Sequence, residues 1–193
     1  MREQITERIR SEVLSQQLPV GTRVREEALA KQFGVSRAPV RDALLQLTSE
    51  GLLVAKPNCG MSVAPLPDKA IQPLVVALRK RIESFSLARL FGRFESIDLE
   101  AHAEIVGRLK EACQAADLSQ VVYYDMAFHR FIIDAADDRQ LVSMWLPIVS
   151  RMMLNYSRHQ NWMESYEEHA AIAEAIRAGD RQLSRRLLLE NIL

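Results

Sequence analysis

The chain has 193 residues, 48% hydrophobic and 26% charged, with 25 Lys and Arg balancing 25 Asp and Glu. Such a composition excludes a disordered or fibrous chain, and the length suits one or two small domains that each bury a core. No apolar run nears the roughly 20 residues of a membrane span, Met1 to Arg10 is charged and periodic unlike a secretory leader, and Cys59 and Cys113 are too far apart in sequence to suggest a disulfide framework or zinc ribbon; the expected location is cytoplasmic.

Splitting the charge by region gives a weak asymmetry. Residues 1–66 hold nine Lys and Arg against seven Asp and Glu, and residues 67–193 hold sixteen against eighteen. Bulk charge therefore cannot argue for a nucleic-acid partner, and the placement of individual arginines must.

The first periodic stretch predicts a helix over about 5–17, with Ile5, Ile9, Val13 and Leu14 inward. Leu18-Pro19-Val20-Gly21 reads as a turn. Residues Glu26 to Phe33 read as a short helix with Ala28, Leu29 and Phe33 inward. Gly34 can take the positive φ that ends it, Ser36 suits an N-cap, and Pro39 falls in the first turn of the next helix, where its missing N–H is tolerated. Val40, Ala43, Leu44 and Leu47 then recur as one apolar stripe, while Arg37 and Arg41, four apart, share another face. An amphipathic helix with two solvated arginines has the same pattern, so the flanks decide. Downstream, 51–55 and 61–63 are β-prone runs around Lys56-Pro57-Asn58-Cys59-Gly60, a hairpin placed like the wing of a winged helix-turn-helix. An arginine pair at the start of such a helix can clamp a guanine edge or hold phosphates.

Pro65, Pro67 and Pro73 punctuate a boundary, which predicts a DNA-binding domain over 1–66, a linker over 67–71 and a second domain over 72–193. The second domain reads as all helical, with segments over 70–91, 98–116, 119–136, 139–156, 163–178 and 181–192. Gly92 and Gly179 read as stops, Ser96, Ser119 and Asp180 as starts, and Pro147 is expected to kink or divide the fourth segment. Six helices in this length make a bundle.

Polar residues on the bundle's apolar faces carry the chemistry. Arg79 shares a face with Val75, Val76 and Ile82; Asp125 and His129 lead on to Ile132 and Ile133; His169 precedes Ile172 and Ile176; Asn191 follows Leu187 and Leu188. Burying such groups without partners costs about 1–3 kcal/mol each, so they should meet one another, a ligand or a metal. Asp and His at i and i+4 reach one ion, and a third imidazole on a facing helix completes a plausible set. The commoner meaning of Asp-x-x-x-His is a buried histidine held by a carboxylate. His102 and His159 fit neither stripe and are read as surface or structural.

Two sets of residues carry a family resemblance. Pro19-x-Gly21-Thr22-x-Val24-x-Glu26-x-x-Leu29-Ala30, Gly34-Val35-Ser36-Arg37-x-Pro39-Val40-Arg41-x-Ala43-Leu44 and Leu47-x-x-Glu50-Gly51-Leu52 resemble the DNA-binding domain of GntR-family transcription regulators over about residues 5–65. Arg79-x-x-x-Glu83, Asp125-x-x-Phe128-His129 and Glu168-His169-x-x-Ile172-x-x-Ala175-Ile176-x-x-Gly179-Asp180 resemble the helical, FCD-like effector domain of the FadR-type branch, in its short six-helix form.

The resemblance implies a mainly α protein, a winged helix-turn-helix followed by an all-α bundle, acting as a regulator and not as an enzyme. It implies DNA contacts by Arg37 and Arg41, with Ser36, Ala38, Pro39 and the wing glycine Gly60 at the same surface. Some members carry a DNA-contacting arginine where this chain has Glu27; Arg25 is near enough to take its place. Asp125, His129 and His169 match metal ligands and Arg79 matches the arginine near the effector, while the last histidine of the metal set is Asn191 here. Relatives often have Gly-Asn where this chain has Asp137-Asp138. The implied cofactor is a divalent metal, zinc first, with nickel or manganese also compatible. The implied partners are a pseudo-palindromic duplex operator, a small carboxylate effector and a second copy of the chain, with no membrane. Two alternatives stay open: a vestigial, metal-free effector pocket, and a metal-dependent enzyme.

Overall fold

The computed structural model describes residues 1–56, 60–154 and 161–192. By internal contact the chain divides into two compact units, Met1–Lys69 with Pro147–Tyr156, and Ala70–Leu146 with Ser157–Leu193.

The first unit carries α1 (Arg2–Leu14), β1 (Arg23–Val24), α2 (Glu26–Phe33), α3 (Arg37–Ser49), β2 (Leu53–Lys56) and β3 (Gly60–Val63). Ile5, Ile9, Val13 and Leu14 of α1 and Val40, Ala43, Leu44 and Leu47 of α3 are all buried, as their spacing requires. Gly34 ends α2 in the left-handed conformation, φ 65°. Ser36 occupies the N-cap of α3 in an extended conformation, but its side chain makes no capping hydrogen bond. On α2 the buried residues are Leu29 and Ala30, whereas Ala28, expected inward, is exposed. Eight residues bury only a narrow face, and Ala28 sits one 100° step outside it.

The strands form an antiparallel sheet in the order β1-β3-β2. Leu53 pairs with Val63 and Lys56 with Gly60, so the hairpin lies where the β-prone runs placed it. Its turn, Pro57-Asn58-Cys59, lies outside the described residues, as does His159. The third strand had no signal of its own. Two residues are too few for an alternation pattern, and Arg23 and Val24 become a strand only by pairing with Ser62 and Met61.

A buried ion pair ties α1 to the end of α3. The Arg10 guanidinium donates to Glu50 from Nη2 at 2.7 and 2.8 Å and from Nε at 3.2 Å. Glu7 and Gln46 complete the cluster.

The second unit is built from α4 (Gln72–Gly92), α5 (Leu99–Gln114), α6 (Leu118–Asp134), the first part of α7 (Arg139–Met153), α8 (Trp162–Arg177) and α9 (Arg181–Asn191). Two starts differ from expectation. Asp98 caps α5 by accepting from the Ala101 N–H, and Asp117 caps α6 by accepting from the Gln120 N–H, so the N-cap positions are held by these aspartates and not by Ser96 and Ser119. A carboxylate at the N-cap adds a favourable charge to the helix dipole, which a hydroxyl does not. Asp180 caps α9 as expected. Pro147 does not divide α7, which stays one helix. A proline removes a single i→i−4 bond, and the rest of the helix outlasts it here. The core gathers Leu87, Leu90 and Phe91 of α4, Phe128 and Ile132 of α6, and Ile172 and Ile176 of α8.

Candidate functional site

An exposed face in the first unit and a buried cluster in the second concentrate the chemistry. In the first, α3 begins immediately after the turn at Gly34 and carries Arg37 and Arg41 out on its solvent face. Ser36, Arg37, Ala38 and Arg41 are exposed, Pro39 is half-buried, and Gly60 at the wing is exposed with φ 80°. Arg37 Nη2 stands 3.5 Å from Glu26 Oε2 at the start of α2. Arg23, Arg25 and Arg37 line one concavity of about 340 Å³ with Gly60, Met61, Glu26 and Glu27. Arg25 is therefore on the same face as Arg37, and Arg23 joins them although nothing in its sequence position marked it.

In the second unit Asp125, His129 and His169 are fully buried, and each offers a ligand atom within 4.8 Å of the others. The stripe on α6 delivers the first two and the facing stripe on α8 the third. Neighbours orient both imidazoles. His129 Nδ1 lies 2.7 Å from Glu83 Oε2 and His169 Nδ1 lies 2.6 Å from the Ser165 carbonyl oxygen. A carbonyl accepts only, and an ionised carboxylate accepts only, so both Nδ1 atoms carry a proton; in a neutral imidazole Nε2 is then the nitrogen with the lone pair. Nε2 of His129 has no hydrogen-bond partner among the described residues. Nε2 of His169 faces Asp125 Oδ2 at 3.5 Å. Two imidazoles and a carboxylate with ligand atoms this close fit a divalent cation.

Glu83 is the hub beneath this cluster. Besides His129, its carboxylate accepts from Arg79 Nε at 2.6 Å and from Trp145 Nε1 at 2.8 Å. Burial opposes its ionisation, but Arg79 and His129 outweigh that and hold the carboxyl well below the usual range. Arg79 is 3% exposed, and its Nη2 has no hydrogen-bond partner among the described residues. The predicted effector arginine is thus joined to the predicted ligands through one carboxylate. Asn191 is also buried; its Nδ2 donates to Glu168 Oε2 at 2.9 Å, and its Oδ1 has no hydrogen-bond partner among the described residues.

Three residues escaped the sequence reading in part or whole. Glu83 was visible only as the partner of an i, i+4 pair with Arg79. Trp145 carried no signal. His102 was read as surface or structural; it is 2% exposed, and its ring stacks on Phe128 and Phe131 with centroids 4.6 and 4.4 Å apart. Burial, with His129, His169 and Arg177 nearby, depresses its pKa to about 4.

Comparison with known proteins matches the two parts of the chain to two families. Residues 1–63 match the model for bacterial regulatory proteins of the gntR family, and residues 75–193 match the FCD domain. A probable D-xylose utilization operon transcriptional repressor of Paenarthrobacter nicotinovorans is 28% identical, over 98% of this chain and 84% of the relative. The gluconate operon transcriptional repressor of Bacillus subtilis is 29% identical, over 95% and 78%. The structure of Escherichia coli McbR/YncC superposes with a TM-score of 0.82 at 23% identity, covering 99% of this chain and 92% of that one. These matches are to transcription regulators, which sets aside the reading of the buried cluster as a catalytic centre. Among the described residues no helix is long and apolar enough to cross a membrane. The chain belongs to the GntR family of DNA-binding transcription regulators and carries an FCD domain behind its winged helix-turn-helix.

Proposed function

We propose that this protein is a homodimeric transcriptional repressor that releases or rearranges on a pseudo-palindromic operator when a small carboxylate binds its helical domain. Residues 1–66 would bind DNA, 67–71 link, and 72–193 bind effector and dimerise. Arg37 and Arg41 are the base-reading side chains in this account, with Arg25, Ser36, Ala38, Pro39 and Gly60 around them. Repression is carried over from the two operon repressors to which the chain is similar.

The observation that carries the effector reading is the buried cluster itself: both imidazoles are held at Nδ1 by fixed neighbours, and Asp125, His129 and His169 each offer a ligand atom within 4.8 Å of the others. Asp125, His129 and His169 would hold a divalent ion, zinc before nickel or manganese for this nitrogen and oxygen set. The ion supplies positive charge against which a carboxylate can bind. The second cation for that carboxylate is Arg79, which keeps an uncommitted Nη2 beside the cluster. An effector bound there couples to DNA affinity by linkage, with a coupling free energy of about 1–3 kcal/mol in systems of this kind.

The test is metal content of protein purified without chelator or tag metal, beside Asp125→Ala. One equivalent in the wild type and none in the variant supports the site; none in either removes the metal from the account. Asn191, standing where relatives carry a histidine, favours a second reading in which the pocket is metal-free and vestigial. Operator affinity indifferent to metals and organic acids supports that reading, and Asn191→His gaining a metal that the wild type lacks would explain how it arose.

A further inference from the structure

We infer that Arg23 is a further DNA-contacting residue, binding a backbone phosphate beside the wing. It rests on the DNA-facing surface proposed above. Strand alternation turns Val24 into the core, 8% exposed, and Arg23 out to solvent. Pairing with Ser62 holds that direction, so the side chain is carried by the sheet and not by a loop. The guanidinium lies along the bare backbone of Gly60: Nε and Nη2 stand 3.8 Å from where a Cβ on Gly60 would be.

Charge then says what the group is for. Arg23, Arg25 and Arg37 converge on one concavity that offers two carboxylates, and Glu26 is already turned to Arg37. Among the described residues neither Arg23 nor Arg25 has a carboxylate within ion-pair distance. Three guanidinium groups against two carboxylates leave the concavity with an excess of positive charge, which a polyanion can match. The position between the first turn of α3 and the wing is where a duplex seated on both would bring its sugar-phosphate edge. Guanidinium pairs with phosphate through two parallel hydrogen bonds, and such contacts set position without reading sequence.

A phosphate contact has a signature that does not need the operator. Wild type, Arg23→Ala and Arg23→Lys are titrated by fluorescence anisotropy against a labelled random-sequence duplex over a range of salt concentrations. Each phosphate contact contributes about 0.9 to the slope of log K against log salt. The expected result is a weaker Arg23→Ala whose slope is shallower by about that amount for each protomer seated on the duplex, about 1.8 for the proposed dimer, with Arg23→Lys keeping the wild-type slope. An Arg23→Ala slope equal to wild type overturns the proposal even if affinity falls, because a support for the wing would weaken binding without removing a counterion-releasing contact. A second titration uses an A·T-rich duplex, and a loss confined to that duplex overturns the proposal too, since that is readout of groove edges. If wild-type binding is salt-dependent while the Arg23→Ala slope is unchanged, Arg23 alone is misassigned; if the wild type itself shows no salt-dependent binding to the duplex, the whole face is.

Discussion

Glu83 and His129 face each other across 2.7 Å in the interior of the helical unit, from helices α4 and α6, both wholly buried. The bond puts a proton on Nδ1 of His129, and Nε2 has no hydrogen-bond partner among the described residues. Glu83 also gives Arg79 its counter-ion. One carboxylate therefore joins the proposed effector arginine to the proposed metal ligands.

Glu83→Gln tests that junction. The amide keeps the shape but can donate to His129, which releases the tautomer, and it leaves Arg79 without a negative partner. Loss of an orienting partner of this kind lowers metal affinity by about 10- to 100-fold. Competition titration with a metal indicator reads the change; unaltered affinity would show that Glu83 does not orient His129.

His102 sets the acid limb of stability. Its folded pKa of about 4 lies below the ~6.5 of an unfolded histidine. Between these values the unfolded chain binds the additional proton, so stability is full above about 6.5, falls as pH drops, and has lost this contribution near 4. The loss is on the order of 3 kcal/mol. His102→Phe retains an aromatic ring between Phe128 and Phe131 without the proton, and should flatten Tm against pH through that window. An unchanged pH profile would count against the assignment.

Arg10 and Glu50 hold α1 against the end of α3, both under a tenth exposed. Arg10→Met leaves a buried carboxylate uncompensated and should destabilise the DNA-binding unit by about 3–5 kcal/mol. The double change Arg10→Met, Glu50→Leu removes both charges and should cost less than Arg10→Met alone. Hydrogen exchange at amides of α1 and α3 measures both, and a double variant worse than the single would contradict the desolvation argument.

Arg37→Ala and Arg41→Ala should each reduce operator affinity by about 10- to 100-fold, the worth of one bidentate base contact, with the fold intact. The Arg37–Glu26 pair is too long and exposed for its loss to matter to stability. Gel-shift titration against the operator beside a scrambled duplex separates specific from general binding, and full specificity in both variants would refute the recognition-helix assignment.

Periodicity located the helices because each buries a stripe, and a stripe recurs along the chain whatever it packs against. Ile5 to Leu14, Val40 to Leu47 and His169 to Ile176 could be read in this way. Caps were less legible: Ser96 and Ser119 are good N-cap residues by type, yet Asp98 and Asp117 hold those positions, since several nearby side chains could cap and local sequence does not rank them.

Order along the chain by itself determined the winged helix-turn-helix, the bundle and the membership of Asp125, His129, His169 and Arg79 among inward-facing polar groups, because those depend on spacing within one element. Tertiary structure alone decided that Glu83 bridges Arg79 to His129, that Trp145 donates to the same carboxylate, that His102 is sandwiched between two phenylalanines, and that Arg23 meets Gly60. Each of these joins residues from different elements, where distance in space has no counterpart in spacing along the sequence. Hydrogen-bond and charge complementarity act over a few ångströms, and only the packed chain sets those distances.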